Sequence, residues 1–267
     1  MKLFILTSHY PFVSILLSKL ITTHHQHIGG IFIEKTPLLK LIRKLIKKSG
    51  WRYALYLVFE TSFCFLVLKF KEILRISKAI SFQRLAKSFN IPVWTIKDAQ
   101  SDAFVDRLKF LAPDILFLVD YGRLINGPLL TAAKLGMINF HPGLLPKYKG
   151  IAPTFFSLLN RENQFGATIH KITEAVDGGD VVNELRLQTD LKKSLSHHRL
   201  RLCFQGAEFI SRTMDKIFSD GMISAAQQNN QETGIYGFPS KKDVLEMSKN
   251  HQKLINLKDC FSLWKSL

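Results

Sequence analysis

The chain has 267 residues, 46% of them hydrophobic, which is enough for a buried core in one large domain or two small ones. Its 37 Lys and Arg against 21 Asp and Glu give a net charge of +16, which favours an anionic partner such as nucleic acid, a nucleotide or an acidic membrane. Three scattered cysteines without a CxxC spacing argue against a disulfide framework and a zinc site. They indicate a reducing compartment, and the N-terminus, which lacks a signal-peptide pattern, predicts a cytoplasmic protein.

Apolar runs alternate with amphipathic helices along the first half of the chain. The pattern predicts, in order, a strand at Lys2–Ser8, a helix at Phe12–Thr23, a strand at His27–Glu34, a helix at Ser81–Phe89, a strand at Pro92–Ile96, a helix at Ser101–Leu111, a strand at Asp114–Asp120, a short helix near Pro128–Ala133 and a strand at Gly136–His141. This alternation predicts a doubly wound, mostly parallel α/β sheet of the Rossmann-like kind, in which chemistry gathers beyond the carboxyl ends of the strands.

The second half continues with fewer elements. It predicts a helix at Pro153–Asn160, β-rich runs at Gly166–Ile172 and Val181–Leu187, and a long helix at Ser194–Phe218. We therefore expect a catalytic domain over 1–220 and a small C-terminal extension over 221–267. Within the extension, the aromatic segment Ile235–Asp243 is expected to fold back near the site.

A basic and apolar helical insertion over 35–80 interrupts the α/β pattern. Thirteen Lys and Arg against two Glu lie between Lys35 and Lys87, so most of the net charge is here. Pro37–Gly50 has an apolar stripe opposite its basic residues, and Tyr53–Phe70 is almost wholly apolar, although Glu60 in its middle argues against a membrane-spanning helix. Docking on an anionic membrane surface, packing on the sheet or in a homodimer, and contact with tRNA stay open, with nucleic acid the least favoured partner.

An asparagine and a histidine lie two residues apart at the end of a predicted strand. Alternate side chains of a strand share a face, so Asn139 and His141 point the same way. Pro142 ends the regular pairing, and Gly143 lets the backbone pass close to a ligand. This pattern predicts a pocket, although a capped strand end with a hydrogen-bonded core histidine is the alternative.

A second motif, "EAVDGGDVV", places Asp177, Gly178, Gly179 and Asp180 in a turn after a β-rich run. A carboxylate beside an imidazole fixes its tautomer and raises its pKa, while a carboxamide N–H can donate to a developing oxyanion. Asn139, His141 and Asp177 are therefore candidates for acyl transfer to an amine.

"INFHPGLLPKYKGIAP" and "FFSLLNRENQFGATIHKITEAVDGGDVV" together resemble the core of the folate-dependent formyltransferase family, which includes glycinamide ribonucleotide, methionyl-tRNA and nucleotide-amino-sugar formyltransferases. The resemblance is dense from about Asp114 to Leu187 and weaker over the first two strands. It implies that Asn139, His141 and Asp177 are the catalytic triad and that Tyr121 and Gly122 line the folate site, with Gly178, Gly179 and Asp180 also binding the folate. Pro142, Gly143, Lys147 and Lys149 are expected to contact substrate.

The resemblance implies that 10-formyltetrahydrofolate donates a formyl group to a primary amine of a small molecule, in one-carbon metabolism and without a metal. "TSHYPF", Thr7–Phe12, lacks the glycine-rich turn with which relatives hold a ribonucleotide phosphate. Few residues follow the last long helix, which argues against a tRNA-binding barrel, so an amino sugar or sugar nucleotide is the expected acceptor. A methionyl-tRNA formyltransferase-like enzyme, a formyltetrahydrofolate hydrolase and a non-catalytic binding protein are the alternatives. The HHQH run at 24–27 is not expected to bind a metal.

Overall fold

The computed structural model describes residues 1–8, 10–35, 37–73, 81–229 and 233–264. Its strands are β1 (Leu3–Ser8), β2 (Ile28–Glu34), β3 (Val93–Ile96), β4 (Ile115–Val119), β5 (Met137–His141), β6 (Lys149–Gly150), β7 (Gln164–Lys171), β8 (Val181–Gln188) and β9 (Ile235–Tyr236). Its helices are α1 (Pro11–His24), α2 (Leu38–Ser49), α3 (Trp51–Ile73), α4 (Phe82–Ser88), α5 (Asp102–Leu111), α6 (Pro153–Leu159), α7 (Leu195–Asp220), α8 (Lys241–Lys249) and α9 (Leu257–Trp264). The helix expected near Pro128–Ala133 is a short 3-10 segment, Gly127–Thr131.

Seven strands form one sheet in the order β3-β2-β1-β4-β5-β7-β8. The five strands from β3 to β5 pair in parallel, whereas β7 pairs antiparallel with both β5 and β8. This confirms the expected mostly parallel, doubly wound sheet. The chain order reverses between β1 and β4, and ligands of such sheets bind in the crevice beyond the carboxyl ends at that point.

The alternation of side chains along β1 builds two cores. Leu3 and Ile5 point to a layer formed with α1, α4 and α7, whereas Phe4 and Leu6 point to a layer formed with α5. Because strands between two helical layers are buried on both faces, every residue of β4 is apolar and buried.

The helices α2 and α3 form a hairpin that packs on the α1 and α7 side. Glu60 of α3 is buried and forms an ion pair with Arg199 of α7 at 2.9 Å. Arg199 also donates to the hydroxyl of Tyr10 at 2.8 Å, and the hydroxyl of Tyr56 donates to Glu60 Oε1 at 2.8 Å. The carboxylate that interrupts the apolar run therefore fastens the hairpin to α7. Residues 74–80 of the expected insertion lie outside the described residues.

By length and composition, one helix among the described residues could cross a membrane. Residues Trp51–Phe70 of α3 have a mean hydropathy of 1.5, and a third of that stretch is buried against the rest of the protein.

The C-terminal segment packs against the loop that follows β5. Its strand β9 pairs with β6, so that Lys149 and Gly150 lie opposite Ile235 and Tyr236. The ring of Tyr236 stacks on those of Tyr148 and Phe156 at centroid distances of 5.4 and 4.5 Å. A capping box of Ser240 and Asp243 then begins α8. Since Tyr148 lies in the loop after β5, the segment supports the polar end of that strand.

Candidate active site

The polar end of β5 is completed by its antiparallel neighbour β7. Asn139 lies opposite His170 and His141 lies opposite Thr168 in the strand register. Cross-strand partners share a face of the sheet, so Asn139, His141 and His170 converge on one side. His141 and His170 are only 3% and 2% exposed, which makes both imidazoles buried polar groups that need partners.

The chain turns sharply after His141, at Pro142 and Gly143, where the sequence predicted the end of the strand. A Cβ atom on Gly143 would lie 2.6 Å from Pro153 Cβ and 2.8 Å from His141 Nε2, so only glycine fits beside the imidazole. Thr168 fixes this turn, because its hydroxyl donates to Gly143 O at 2.8 Å and accepts from Leu145 N at 3.2 Å. Gly143 is thus explained by close packing on His141, while substrate contact by Pro142 and Gly143 stays a prediction.

His141 has an oxygen near each of its ring nitrogens. Its Nε2 lies 2.6 Å from the backbone oxygen of Tyr148, and its Nδ1 lies 3.5 Å from Asp177 Oδ2. The short contact assigns the N–H of the neutral ring to Nε2, because a carbonyl oxygen only accepts. Nδ1 is therefore the nitrogen that gains and loses a proton, and Asp177 stabilises the charged form.

The expected Asp-Gly-Gly-Asp turn presents Asp177 to both imidazoles. Asp177 Oδ2 accepts from Gly150 N at 2.7 Å, and Oδ1 lies 3.5 Å from His170 Nε2. Burial opposes its charge, but His170, His141 and the Gly150 N–H together hold the pKa of Asp177 at about 2. Asp177 is consequently ionised at neutral pH.

Backbone contacts hold the turn itself. Gln228, from the C-terminal segment, donates to the backbone oxygens of Asp177 and Gly179 at 2.8 and 2.7 Å. A side chain on Gly179 would overlap the carbonyl oxygen of Lys171, and Gly178 packs against Ala175. Asp180 O accepts from Lys171 N at 2.8 Å. Gly178, Gly179 and Asp180 therefore have structural roles in the turn. Contact of these three residues with folate stays a prediction.

Two opposing effects act on the pKa of His141. Asp177 acts in the expected direction, but burial outweighs both its charge and the hydrogen bond to Tyr148 O, so the pKa of His141 falls below its ordinary value. Asp177 thus raises the pKa of His141 as expected, but burial reverses the net shift. A neutral, buried imidazole at neutral pH can act as a general base.

Asn139 and His170 form the other half of the site. His170 Nδ1 lies 2.7 Å from Lys171 O, and Nε2 lies 3.1 Å from Asn139 Nδ2 on the side of the ring that faces Asp177. The Asn139 amide is thereby held beside His170, and its N–H can donate to an oxyanion. The sequence motif did not include His170 as a site residue, because strand parity alone does not determine which layer it faces; the antiparallel register of β7 does.

Tyr121 and Gly122 lie in the loop that follows β4. The Tyr121 hydroxyl donates to Glu34 Oε2 at 2.6 Å, and Arg123 donates to Glu34 and, at 2.9 Å, to Asp98. These contacts fasten the loop to the ends of β2 and β3, a brace that sequence reasoning missed. A Cβ atom on Gly122 would meet nothing within 4 Å, so the loop borders open space.

The two lysines expected to contact substrate have different surroundings. Lys147 Nζ forms an ion pair with Glu162 at 3.0 Å. Lys149 is buried in β6, where its N–H donates to Gly234 O at 2.9 Å. Substrate contact by either residue stays a prediction.

A further carboxylate lies at the point where the strand order reverses. Ser8 ends β1 and donates through its hydroxyl to Asp120 Oδ2 at 2.8 Å, and Asp120 directly follows Val119, which pairs with Phe140. Val119 and Phe140 are cross-strand partners, and the residues that follow them are Asp120 and His141, so these two side chains belong to the same edge of the sheet. Asp120 is exposed at this edge. The sequence pattern placed Asp120 only at a strand end.

The three histidines of the HHQH run have separate partners. His24 lies 3.2 Å from Asp215, His25 stacks on Phe89, and His27 stacks on Phe218. Within the parts of the chain that the structure describes, no group of three His, Cys, Asp or Glu side chains is placed to hold a metal ion.

Comparison with known proteins assigns this arrangement to a family. The family model for formyl transferases matches residues 59–214, a stretch that holds β5, β7 and the Asp177 turn. The chain belongs to the formyl transferase family. The match begins inside α3, so β1, α1, β2 and α2 lie outside it, in accord with the weaker resemblance expected over the first two strands.

A curated formyl transferase is similar in sequence over most of the chain. The methionyl-tRNA formyltransferase of Clostridioides difficile (strain 630) is 30% identical over 187 residues, which are 69% of this chain and 60% of that protein. The chain therefore spans well under two thirds of the length of this curated relative.

Solved formyl transferases share the fold at low identity. An N-formyltransferase from Helicobacter canadensis, in complex with folinic acid and dTDP-3-aminofucose, is 15% identical with a TM-score of 0.58, covering 89% of this chain and 71% of that one. A phosphoribosylglycinamide formyltransferase from Anaplasma phagocytophilum is 13% identical with a TM-score of 0.59, covering 89% of this chain and 98% of that one. Neighbours that act on different acceptors are thus equally similar in fold.

Proposed function

We propose that this protein transfers the formyl group of 10-formyltetrahydrofolate to the primary amine of an amino sugar or sugar nucleotide. The observation that carries the proposal is the convergence of Asn139, His141 and Asp177 at the end of β5, with Nδ1 of a neutral His141 beside an ionised Asp177. An amide donor next to a buried base suits attack of an amine on a carbonyl carbon.

In the proposed reaction, the acceptor nitrogen bonds to the formyl carbon and the formyl oxygen becomes an oxyanion. The Asn139 amide donates to that oxygen, and His141 Nδ1 takes the proton that the nitrogen loses. The bond between the formyl carbon and N10 of the folate then breaks, and His141 returns the proton to N10. Asp177 stabilises the imidazolium between the two transfers, and the products are a formamide and tetrahydrofolate.

The donor is expected beside Tyr121 and Gly122. Their loop is braced by Glu34 and borders open space, so a flat ring system would find an ordered wall there. The solved relative from Helicobacter canadensis, which binds folinic acid, supports a folate as the donor.

The acceptor is inferred from the reversal point between β1 and β4. The exposed carboxylate of Asp120 lies there, and a carboxylate repels phosphate but accepts from hydroxyl and amine groups. This favours a sugar ring next to Asp120 over a ribonucleotide phosphate. The dTDP-3-aminofucose in the Helicobacter canadensis complex is an amino-sugar nucleotide, which supports this class of acceptor.

The direct test is release of tetrahydrofolate from 10-formyltetrahydrofolate by the purified chain, with and without a panel of nucleotide-linked amino sugars, glycinamide ribonucleotide and methionyl-tRNA. We expect release that needs an amino sugar and produces its formamide. Release without any amine would instead identify a hydrolase. Release driven by glycinamide ribonucleotide or methionyl-tRNA alone would overturn the assigned acceptor but not the formyl transfer.

A further inference from the structure

One face of α3 exposes large apolar side chains from end to end, interrupted by the exposed Ser62 and Lys69. At 100° per residue, the exposed large side chains fall on one side of the helix: Trp51, Leu55, Val58, Phe59, Phe65, Leu66 and Phe70. This face is about 28 Å long at 1.5 Å per residue. It extends sideways through Phe63, whose ring contacts that of the exposed Phe261 of α9 at 5.4 Å. An exposed apolar surface of this kind marks an interaction site.

The opposite face of α3 is already occupied by the protein. Tyr53, Tyr56, Glu60, Cys64 and Leu68 are buried there, and the ion pair of Glu60 with Arg199 fixes the rotation of the helix about its axis. A helix held along one side in this way can present only its other side to a partner. It can lie in a bilayer surface but cannot cross the bilayer without breaking the ion pair.

The charges around the apolar face are basic. Among the hairpin side chains that the structure describes, the exposed charged ones are Lys40, Arg43, Lys44, Lys47, Lys48, Arg52 and Lys69, while the acidic Glu60 is buried. Arg52 lies near one end of the face and Lys69 near the other, and such side chains can extend past an apolar layer toward head groups. The first helix, α2, has Lys40, Arg43 and Lys47 next to its own exposed Leu39 and Ile46.

We propose that the α2–α3 hairpin binds the surface of an anionic lipid bilayer, with α3 lying parallel to the surface and its apolar face among the head groups and first acyl carbons. Apolar residues supply the insertion and the basic residues select anionic lipid, as in interfacial helices of other proteins. A second copy of this chain fits less well, because a symmetric contact would bring two basic hairpins together.

The test is flotation of the full-length protein with vesicles of phosphatidylcholine alone and of phosphatidylcholine and phosphatidylglycerol in equal parts. We expect binding to the anionic vesicles only, weakened by added salt. Sedimentation velocity of the free protein, run in parallel, reports its oligomeric state. Absence of binding to anionic vesicles, or equal binding to both kinds, would overturn the proposal.

Two sets of variants locate the surface. The double variant Leu55→Glu with Leu66→Glu should reduce vesicle binding about tenfold or more, whereas the control pair Phe110→Glu with Leu245→Glu, also exposed and apolar but on α5 and α8, should not. The triple variant Lys40→Glu, Arg43→Glu, Lys47→Glu should lower binding by a similar factor. Its control, Lys109→Glu, Lys134→Glu, Lys216→Glu, changes the net charge equally at exposed positions elsewhere.

All four variants should unfold at the same urea concentration as the wild type, since every changed side chain is exposed. Equal loss of binding in a test variant and its control would show that net charge or nonspecific hydrophobic adsorption, not the hairpin, causes binding. That result would overturn the proposal. A dimer of the free protein that Leu55→Glu with Leu66→Glu dissociates, without vesicle binding by the wild type, would assign the face to a second copy.

Discussion

Polar side chains are buried at the end of β5, whereas large apolar side chains are exposed along α3. At the first place His141, His170 and Asp177 bind one another and nearby backbone groups, with little access to water. At the second, Leu55, Leu66 and their neighbours face solvent although the helix has a well-packed opposite side. Both arrangements reverse the usual sorting of side chains and cost folding free energy. Such exceptions are expected where a protein meets a ligand or a partner.

The largest expected effect concerns the buried polar site at the end of β5. His141→Asn removes the proposed base while keeping a polar side chain, and we expect kcat for formyl transfer to fall by about 10²–10⁴. His25→Asn is the control, because His25 stacks on Phe89 at the end of α1, away from the strand ends that form the site. A variant with nearly full activity would mean that the buried imidazole is only structural.

The ion pair beneath the hairpin should dominate its attachment to the domain. Glu60→Gln removes the carboxylate that pairs with the Arg199 guanidinium among the described residues, and we expect the free energy of unfolding to fall by about 3 kcal/mol in urea titration. Glu208→Gln, which disrupts an exposed pair with Arg212, should cost less than about 0.5 kcal/mol. Adding Arg199→Met to Glu60→Gln should recover part of the loss. An equally small effect of Glu60→Gln would mean that the hairpin is held by apolar contacts alone.

Asp177 and His141 can be separated by the pH dependence of kcat/KM. Activity should rise with pH as His141 loses its proton, because only the neutral ring accepts one from the amine. Asp177 stabilises the protonated ring, so Asp177→Asn should lower the pKa of His141 further and move this rise to lower pH, together with a lower plateau. Asp106→Asn, on the exposed side of α5, should leave the profile unchanged. If kcat/KM of Asp177→Asn rises over the same pH range as that of the wild type, Asp177 does not act on His141.

The sequence predicted the sheet and the triad because both depend on local patterns. Apolar alternation identifies strands such as β4 and β5, and strand parity puts Asn139 and His141 on one side. His170 was left open between the site and the core, and Glu34 and Asp120 were missed, because their contacts depend on which strands become neighbours, and strand order is not a local property. The net pKa of His141 was missed for a similar reason, since burial by β7 and the Tyr148 loop exceeds the effect of the adjacent charge.

The sequence also did not predict which face of α3 is exposed. An apolar run such as Tyr53–Phe70 predicts burial, but periodicity does not distinguish its two faces when both are apolar. The ion pair of Glu60 with Arg199, together with the packing of Cys64 and Leu68 on the same side, determines which face is covered and which is left open.

The smallest expected effect tests that open face most directly. Leu66 and Leu68 are the same residue type two positions apart on α3, but Leu66 is 63% exposed and Leu68 is 7% exposed. Leu68→Ala should lower the free energy of unfolding by about 2–5 kcal/mol through loss of packing, whereas Leu66→Ala should change it by less than about 0.5 kcal/mol in urea titration.

The two variants share the same change in helix propensity, so their difference measures burial in the free protein. A cost for Leu66→Ala as large as that for Leu68→Ala would mean that the face is covered in solution, and dependence of that cost on protein concentration would identify a second copy as the cover. A neutral Leu66→Ala means that folding does not need this side chain to be apolar. Its hydrophobicity then has to be explained by something outside the folded chain, and the basic residues around it favour an anionic membrane surface.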